Sequence, residues 1–126
     1  MVIKRLLQLN LIVSAIVGIT FIFAPKSTLD LYGLSGDQPL YVIAQYFGTA
    51  HLAFATLLWL ALRKNEPQFL RFIVISFFAG DLAGTLVLFI GQLRGIMNTA
   101  GWVLVGLSFF FAVGYGYGTL KKLPKS

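Results

Sequence analysis

Apolar residues run almost unbroken through four stretches of the chain, Leu6–Ala24, Pro39–Leu62, Gln68–Gly91 and Thr99–Gly118, with short polar segments between them. A helix needs about 20 mainly apolar residues to cross a bilayer. Lipid offers no partner to backbone N–H and C=O groups, so segments of this kind must satisfy them internally as helices. The pattern predicts an all-α integral membrane four-helix bundle, a single membrane domain over residues 1–126.

The first run follows Lys4-Arg5, which also suits a signal peptide. It is longer than a signal peptide's apolar core of about 7–15 residues, and no A-x-A-like site precedes Pro25, so we read it as the first span. Asn10, Ser14 and Gly18 recur at every fourth position, a small polar stripe expected to face other helices. Between the first and second spans, residues 25–33 carry proline at the start and glycine at the end, the marks of a short helix. It is expected to lie in the interface with Leu29, Leu31 and Tyr32 on the membrane surface. The short turns Arg63–Pro67 and Gln92–Asn98 predict a tight antiparallel hairpin of spans two and three, and a fourth span that returns the chain. Tyr41, Trp59, Tyr115 and Tyr117 fall near span ends and are expected to be interfacial anchors.

Composition agrees with this class: 58% of residues are hydrophobic and 11% charged, and the mean hydropathy is +0.85. Without cysteine there is no disulfide, thiolate or cysteine metal chemistry. The net charge of +6 lies at the ends of the apolar runs, which points to membrane lipids rather than nucleic acid as partner. Lys4, Arg5, Arg63, Lys64, Arg71, Lys121, Lys122 and Lys125 flank one side, against Lys26 and Arg94 on the other. By the positive-inside rule both termini are cytoplasmic. The same bias argues against a dual-topology dimer.

The candidate chemistry lies at mid-depth. Asp81 sits between Gly80 and Gly84 in the third span, and an ionisable group there is costly enough to suggest function. His51 lies 12 residues before Arg63, and Asp81 lies 13 after Gln68. In a hairpin rising about 1.5 Å per residue the two share one level, where a His–Asp hydrogen bond would satisfy both. Ser14 and Ser108 fall at the same level, and Asp81, Leu88 and Gln92 continue a stripe towards Arg94. The binding residues expected are therefore His51, Asp81, Gly84, Gln92, Ser14 and Ser108, around a cavity between spans two and three that opens towards Arg94. A structural alternative stands beside this: a buried His–Asp pair can simply hold two helices in register.

A Ser–His–Asp set can be assembled from Ser14 or Ser108 with His51 and Asp81, but no nucleophile elbow or oxyanion-hole motif accompanies it, so no catalytic residue is assigned. One histidine and one mid-span acid are too few for a metal site, and no cofactor is expected. Val113–Gly116 matches most of a potassium-filter sequence, yet it ends the last span instead of forming a re-entrant loop. Gly80, Gly84, Gly114 and Gly118 form two small-xxx-small patterns suited to helix packing, either with other membrane proteins or in a homo-oligomer.

The order of these features resembles the small bacterial four-span membrane proteins grouped as DoxX-like families of unknown function. The likeness rests on the asparagine-serine-glycine first helix, Ala24-Pro25 with Leu31-Tyr32-Gly33-Leu34, Ala44-x-x-Phe47-Gly48, and Gly80-Asp81 with Gly101-Trp102. Ala44-x-x-Phe47-Gly48-Thr49 and Asn65-Glu66-Pro67 resemble, more faintly, the four-span scaffolds of fungal sterol synthesis, which tether enzymes and have no chemistry of their own. The first resemblance implies a bacterial inner-membrane protein and supplies no catalytic residue. Two functions are expected on these grounds. One is binding or translocation of a small or lipid-like molecule near His51 and Asp81; the other is a non-catalytic scaffold or accessory role through the glycine faces.

Overall fold

The computed structural model describes residues 2–121. Lys122 and Lys125, counted above for orientation, lie outside the described residues. Five helices follow in order: α1 Val2–Phe23, α2 Pro25–Leu31, α3 Gln38–Lys64, α4 Pro67–Leu93 and α5 Gly101–Leu120. Four of them, all but α2, are long and apolar enough to cross a membrane. The protein is an all-α, integral membrane four-helix bundle. Its helices overrun the expected spans by a few residues at most ends, because polar end residues such as Arg63 and Lys64 continue the helical hydrogen bonding.

Local chemistry fixes the turns. Pro25 opens α2, where a missing N–H costs nothing. Pro67 opens α4 in the same way, and Asn65 closes α3 in the left-handed conformation at φ 54°. The link from α3 to α4 is thus only Asn65 and Glu66. Gly95, at φ 71°, ends α4: its N–H reaches Gln92 O and that of Ile96 reaches Gly91 O.

The packing departs from the expected hairpin of spans two and three. Although α3 and α4 are joined by a turn of only two residues, they pack far less closely than the two pairs that follow. The close partners are α1 with α3 and α4 with α5, two antiparallel pairs. Glycine explains the first pairing. A Cβ on Gly48 would lie 2.8 Å from the Gly18 carbonyl, and one on Gly18 would lie 3.0 Å from that of Gly48, so the two backbones cross where neither has a side chain.

At the end that carries Val2 and Lys121, here the terminal end, all four long helices close on one core. Leu6 and Leu7 of α1, Leu58 and Ala61 of α3, Leu70, Ile73 and Val74 of α4, and Phe111 and Tyr115 of α5 meet there. At the opposite end, which carries α2, a smaller cluster of Phe21, Leu29 and Ala44 belongs to the α1–α3 side alone. Leu29 is therefore turned into the protein rather than onto the membrane surface; Leu31 remains exposed. Asn98 holds the α2 end to the second pair through both its side chain and its main chain. Asn98 Nδ2 donates to Leu31 O at 3.0 Å, Asn98 N–H donates to Tyr32 O at 2.9 Å, and Asn98 Oδ1 accepts from Ala100 N–H at 3.0 Å.

Candidate functional site

Between the terminal core and the Asn98 clasp the two pairs are thinly joined. From Val74 to Gln92 no residue of α4 in between is buried, although Asp81, Gly84, Thr85 and Leu88 face inward and are half-buried. In a close-packed bundle an inward face of this length would be covered. Asp81 stands in this stretch, on the same face as Phe77 one turn earlier.

The polar residues expected at one level form separate groups. Ser14 Oγ donates to Asn10 Oδ1 at 3.1 Å, and Asn10 Nδ2 donates to Tyr115 Oη at 2.7 Å. All three residues are buried. This network ties α1 to α5 and uses Ser14 structurally. Tyr115, expected at the interface, is instead wholly buried, with its ring stacked on Phe111 at 6.1 Å. A tyrosine can be buried this way because its hydroxyl finds a partner. Tyr117 does stay exposed, with the Lys121 ammonium 4.7 Å from its ring centre. Trp59 is likewise exposed, with the Arg63 guanidinium 5.0 Å above it.

Ser108 belongs to the second pair. Its hydroxyl donates to the Asp81 carbonyl at 3.1 Å, and Thr85 Oγ1 donates to the same carbonyl at 2.6 Å. A Cβ on Gly84 would touch Ser108 Oγ at 3.2 Å, so Gly84 makes room for this contact. Gln92 is buried near the α2 end, where its Nε2 donates to Asn98 O at 2.9 Å. It supports the loop that presents Asn98, and its Oε1 has no partner.

His51 and Asp81 are not joined. Among the described residues no hydrogen bond or ion pair links them, and His51 Nδ1 and Asp81 Oδ2 are each buried without a partner. The imidazole is held by rings instead: Phe47 at 4.5 Å and Phe54 at 5.4 Å, both edge-on and both about one turn away on α3. Phe54 in turn meets Phe77 of α4 at 5.5 Å, and Phe77 meets Tyr115 of α5 at 5.8 Å. An aromatic chain thus crosses the bundle from His51 to Tyr115, passing one helical turn from Asp81. Neither Ser14 nor Ser108 hydrogen-bonds to His51, so no Ser–His–Asp arrangement forms. No group of three or more His, Cys, Asp or Glu that could hold a metal ion occurs among the described residues.

The glycines expected at an outer interface are mostly used inside the chain. Gly114 faces Leu6, Gly118 faces Ile3 and Val74, and Gly84 faces Ser108. Gly80 alone of the four has open space where a side chain would be. Two surface hollows lie elsewhere. One of about 410 Å³ at the α3–α4 turn is lined by Lys64, Glu66, Gln68, Phe69 and Phe72. The other, about 380 Å³, lies between α4 and α5 and is walled by residues such as Leu86, Phe89, Trp102 and Phe109. Neither has His51 or Asp81 in its wall.

Comparison with protein families, with curated proteins and with solved structures finds no match to this chain. Sequence reasoning missed Tyr115 and Asn98. Tyr115 shares a helix face with Phe111 and Gly118, four before and three after it, which is a signal for an inward position. Asn98 lies in a loop, where no periodicity exists to orient it.

Proposed function

We propose that this is a small polytopic protein of a bacterial inner membrane, with both termini cytoplasmic. It binds a small or lipid-like molecule between its two helix pairs, at the level of His51 and Asp81. Among the described residues the terminal end carries Lys4, Arg5, Arg63, Lys64, Arg71 and Lys121, and the α2 end carries Lys26 and Arg94, which supports the orientation. The motif order that resembles DoxX-like proteins supports the compartment.

One observation carries the binding reading. Asp81 Oδ2 is a buried, unpartnered acceptor on an inward face that the protein leaves incompletely covered. A buried polar group kept for packing alone is normally hydrogen-bonded, as Asn10, Ser14 and Tyr115 are. Leucine would cost far less at this depth. A bare acceptor on a half-buried face suits a partner that arrives and leaves.

Native mass spectrometry of the gently extracted protein tests this. We expect a non-covalent adduct on the wild type that is lost in Leu88→Trp, which fills the inward face two turns from Asp81 and stays helical by circular dichroism. Gly84→Leu is unsuitable, because its side chain would strike Ser108 and part α4 from α5. Absence of any adduct, with the α4 inner face closed to water-soluble cysteine reagents, would overturn the proposal.

A further inference from the structure

The interior atoms left without partners have one chemical sense. Asp81 Oδ2 is an acceptor, and His51 Nδ1 is one whenever its proton sits on the other ring nitrogen. Among the described residues the ion pairs are Lys26–Asp30 and Lys64–Glu66, at the two ends of the bundle, and none includes Asp81. A carboxylate held away from water is stable neutral or beside a cation. An anionic ligand would meet its charge with nothing to offset it.

The surroundings of Asp81 are aromatic. Phe77, one turn away on the same face, contacts both Phe54 and Tyr115, and His51 lies edge-on between Phe47 and Phe54. Ring faces attract a positive charge, most strongly where water is excluded. A metal cation fits less well. Ions such as calcium need six to eight oxygens, and Asp81's own carbonyl already accepts from both Ser108 and Thr85. An organic cation asks for less: one carboxylate and some rings.

We propose that the molecule bound between the helix pairs is a hydrophobic organic cation, an amine or quaternary ammonium, with its nitrogen against Asp81 and its apolar part over Phe77 and Phe54. This rests on the binding site proposed above and names its ligand class.

The test uses two probes of one shape. Benzyltrimethylammonium and its uncharged carbon isostere, neopentylbenzene, are dialysed to equilibrium against the full chain in detergent micelles, with empty micelles as reference. We expect the cation to bind the wild type at least about tenfold more tightly than the isostere, the ratio that about 1.4 kcal/mol supplies. Asp81→Asn should remove that preference. Phe77→Leu, which keeps the apolar volume, should weaken the cation about fivefold and leave the isostere unchanged; it also serves if Asp81→Asn does not fold. Equal affinity for both probes, unmoved by either substitution, overturns the cation assignment and leaves the site standing. Binding of neither probe, while the native adduct persists, does the same. Binding of neither, with no adduct, removes the site as well.

Discussion

The two ends of this bundle treat buried polarity in opposite ways. On the terminal side Ser14 bonds to Asn10 and Asn10 to Tyr115, all three buried, and Tyr115 lies in a core to which all four long helices contribute. Beyond that core the closest packing is within the pairs, and Asp81 and His51 keep buried atoms without partners. The same residue classes thus serve as fastening in one half and stand as unpaired hydrogen-bonding atoms in the other. The contrast teaches that depth alone does not identify a functional polar group. What distinguishes Asp81 from Asn10 is that its surroundings do not complete it.

The largest effect should come from the fastened half. Tyr115→Ala removes a wholly buried ring at the meeting of three helices and should cost about 3–5 kcal/mol in reversible unfolding from mixed micelles. Tyr115→Phe keeps the ring but leaves Asn10 short of a partner, for a loss of about 1–3 kcal/mol. If both cost little, the two halves do not differ as described.

Glycine substitutions sharpen the distinction between contacts within a pair and the space outside it. Gly48→Ala would press a methyl group onto the Gly18 carbonyl and should destabilise the protein by about 1–3 kcal/mol, as overpacking does. Gly80→Ala has nothing to strike and should be neutral or stabilising by less than about 1 kcal/mol, since alanine favours helix. Equal penalties at both sites would show that α4 is covered where the structure leaves it open.

Small in magnitude, and opposite in sign to Tyr115→Phe, is the expected outcome at Asp81. In ligand-free protein Asp81→Leu should raise stability by roughly 1 kcal/mol, because it removes a buried group that has no partner. A loss of that size, in the same unfolding assay, would mean the carboxylate is a fastening after all.

Much of the fold was legible in the sequence because bilayer physics leaves few choices. Four apolar runs, proline at two helix starts and the Asn10-Ser14-Gly18 stripe were sufficient for the spans, the short helix and the inward face of α1. Pairing was not legible. The short polar turn Arg63–Pro67 suggests an α3–α4 hairpin, but a turn fixes only the ends of two helices, while the Gly18–Gly48 crossing fixes the middle of α3 against α1. For the site, residue counts along the helices lead to a His51–Asp81 bond that the structure does not contain, and the spacing of Phe47 and Phe54 around His51 is the signal for the rings that hold the imidazole. Rotation about each helix axis decides hydrogen bonding, and a count of residues along the axis does not contain it.

The pairing of α1 with α3 and α4 with α5 also bears on how the chain is made. Each pair consists of neighbouring membrane segments, so the first can assemble while the second is still being synthesised. Docking of the finished pairs then needs only the terminal core and the Asn98 clasp, whose partners Leu31 and Tyr32 lie far back in the chain. Helices in lipid associate after insertion, as preformed elements. The resulting order of biogenesis postpones the longest-range contact to the final step. An interruption there would leave two inserted half-molecules with Asp81 facing lipid, a product that membrane quality control could recognise by that one exposed acid.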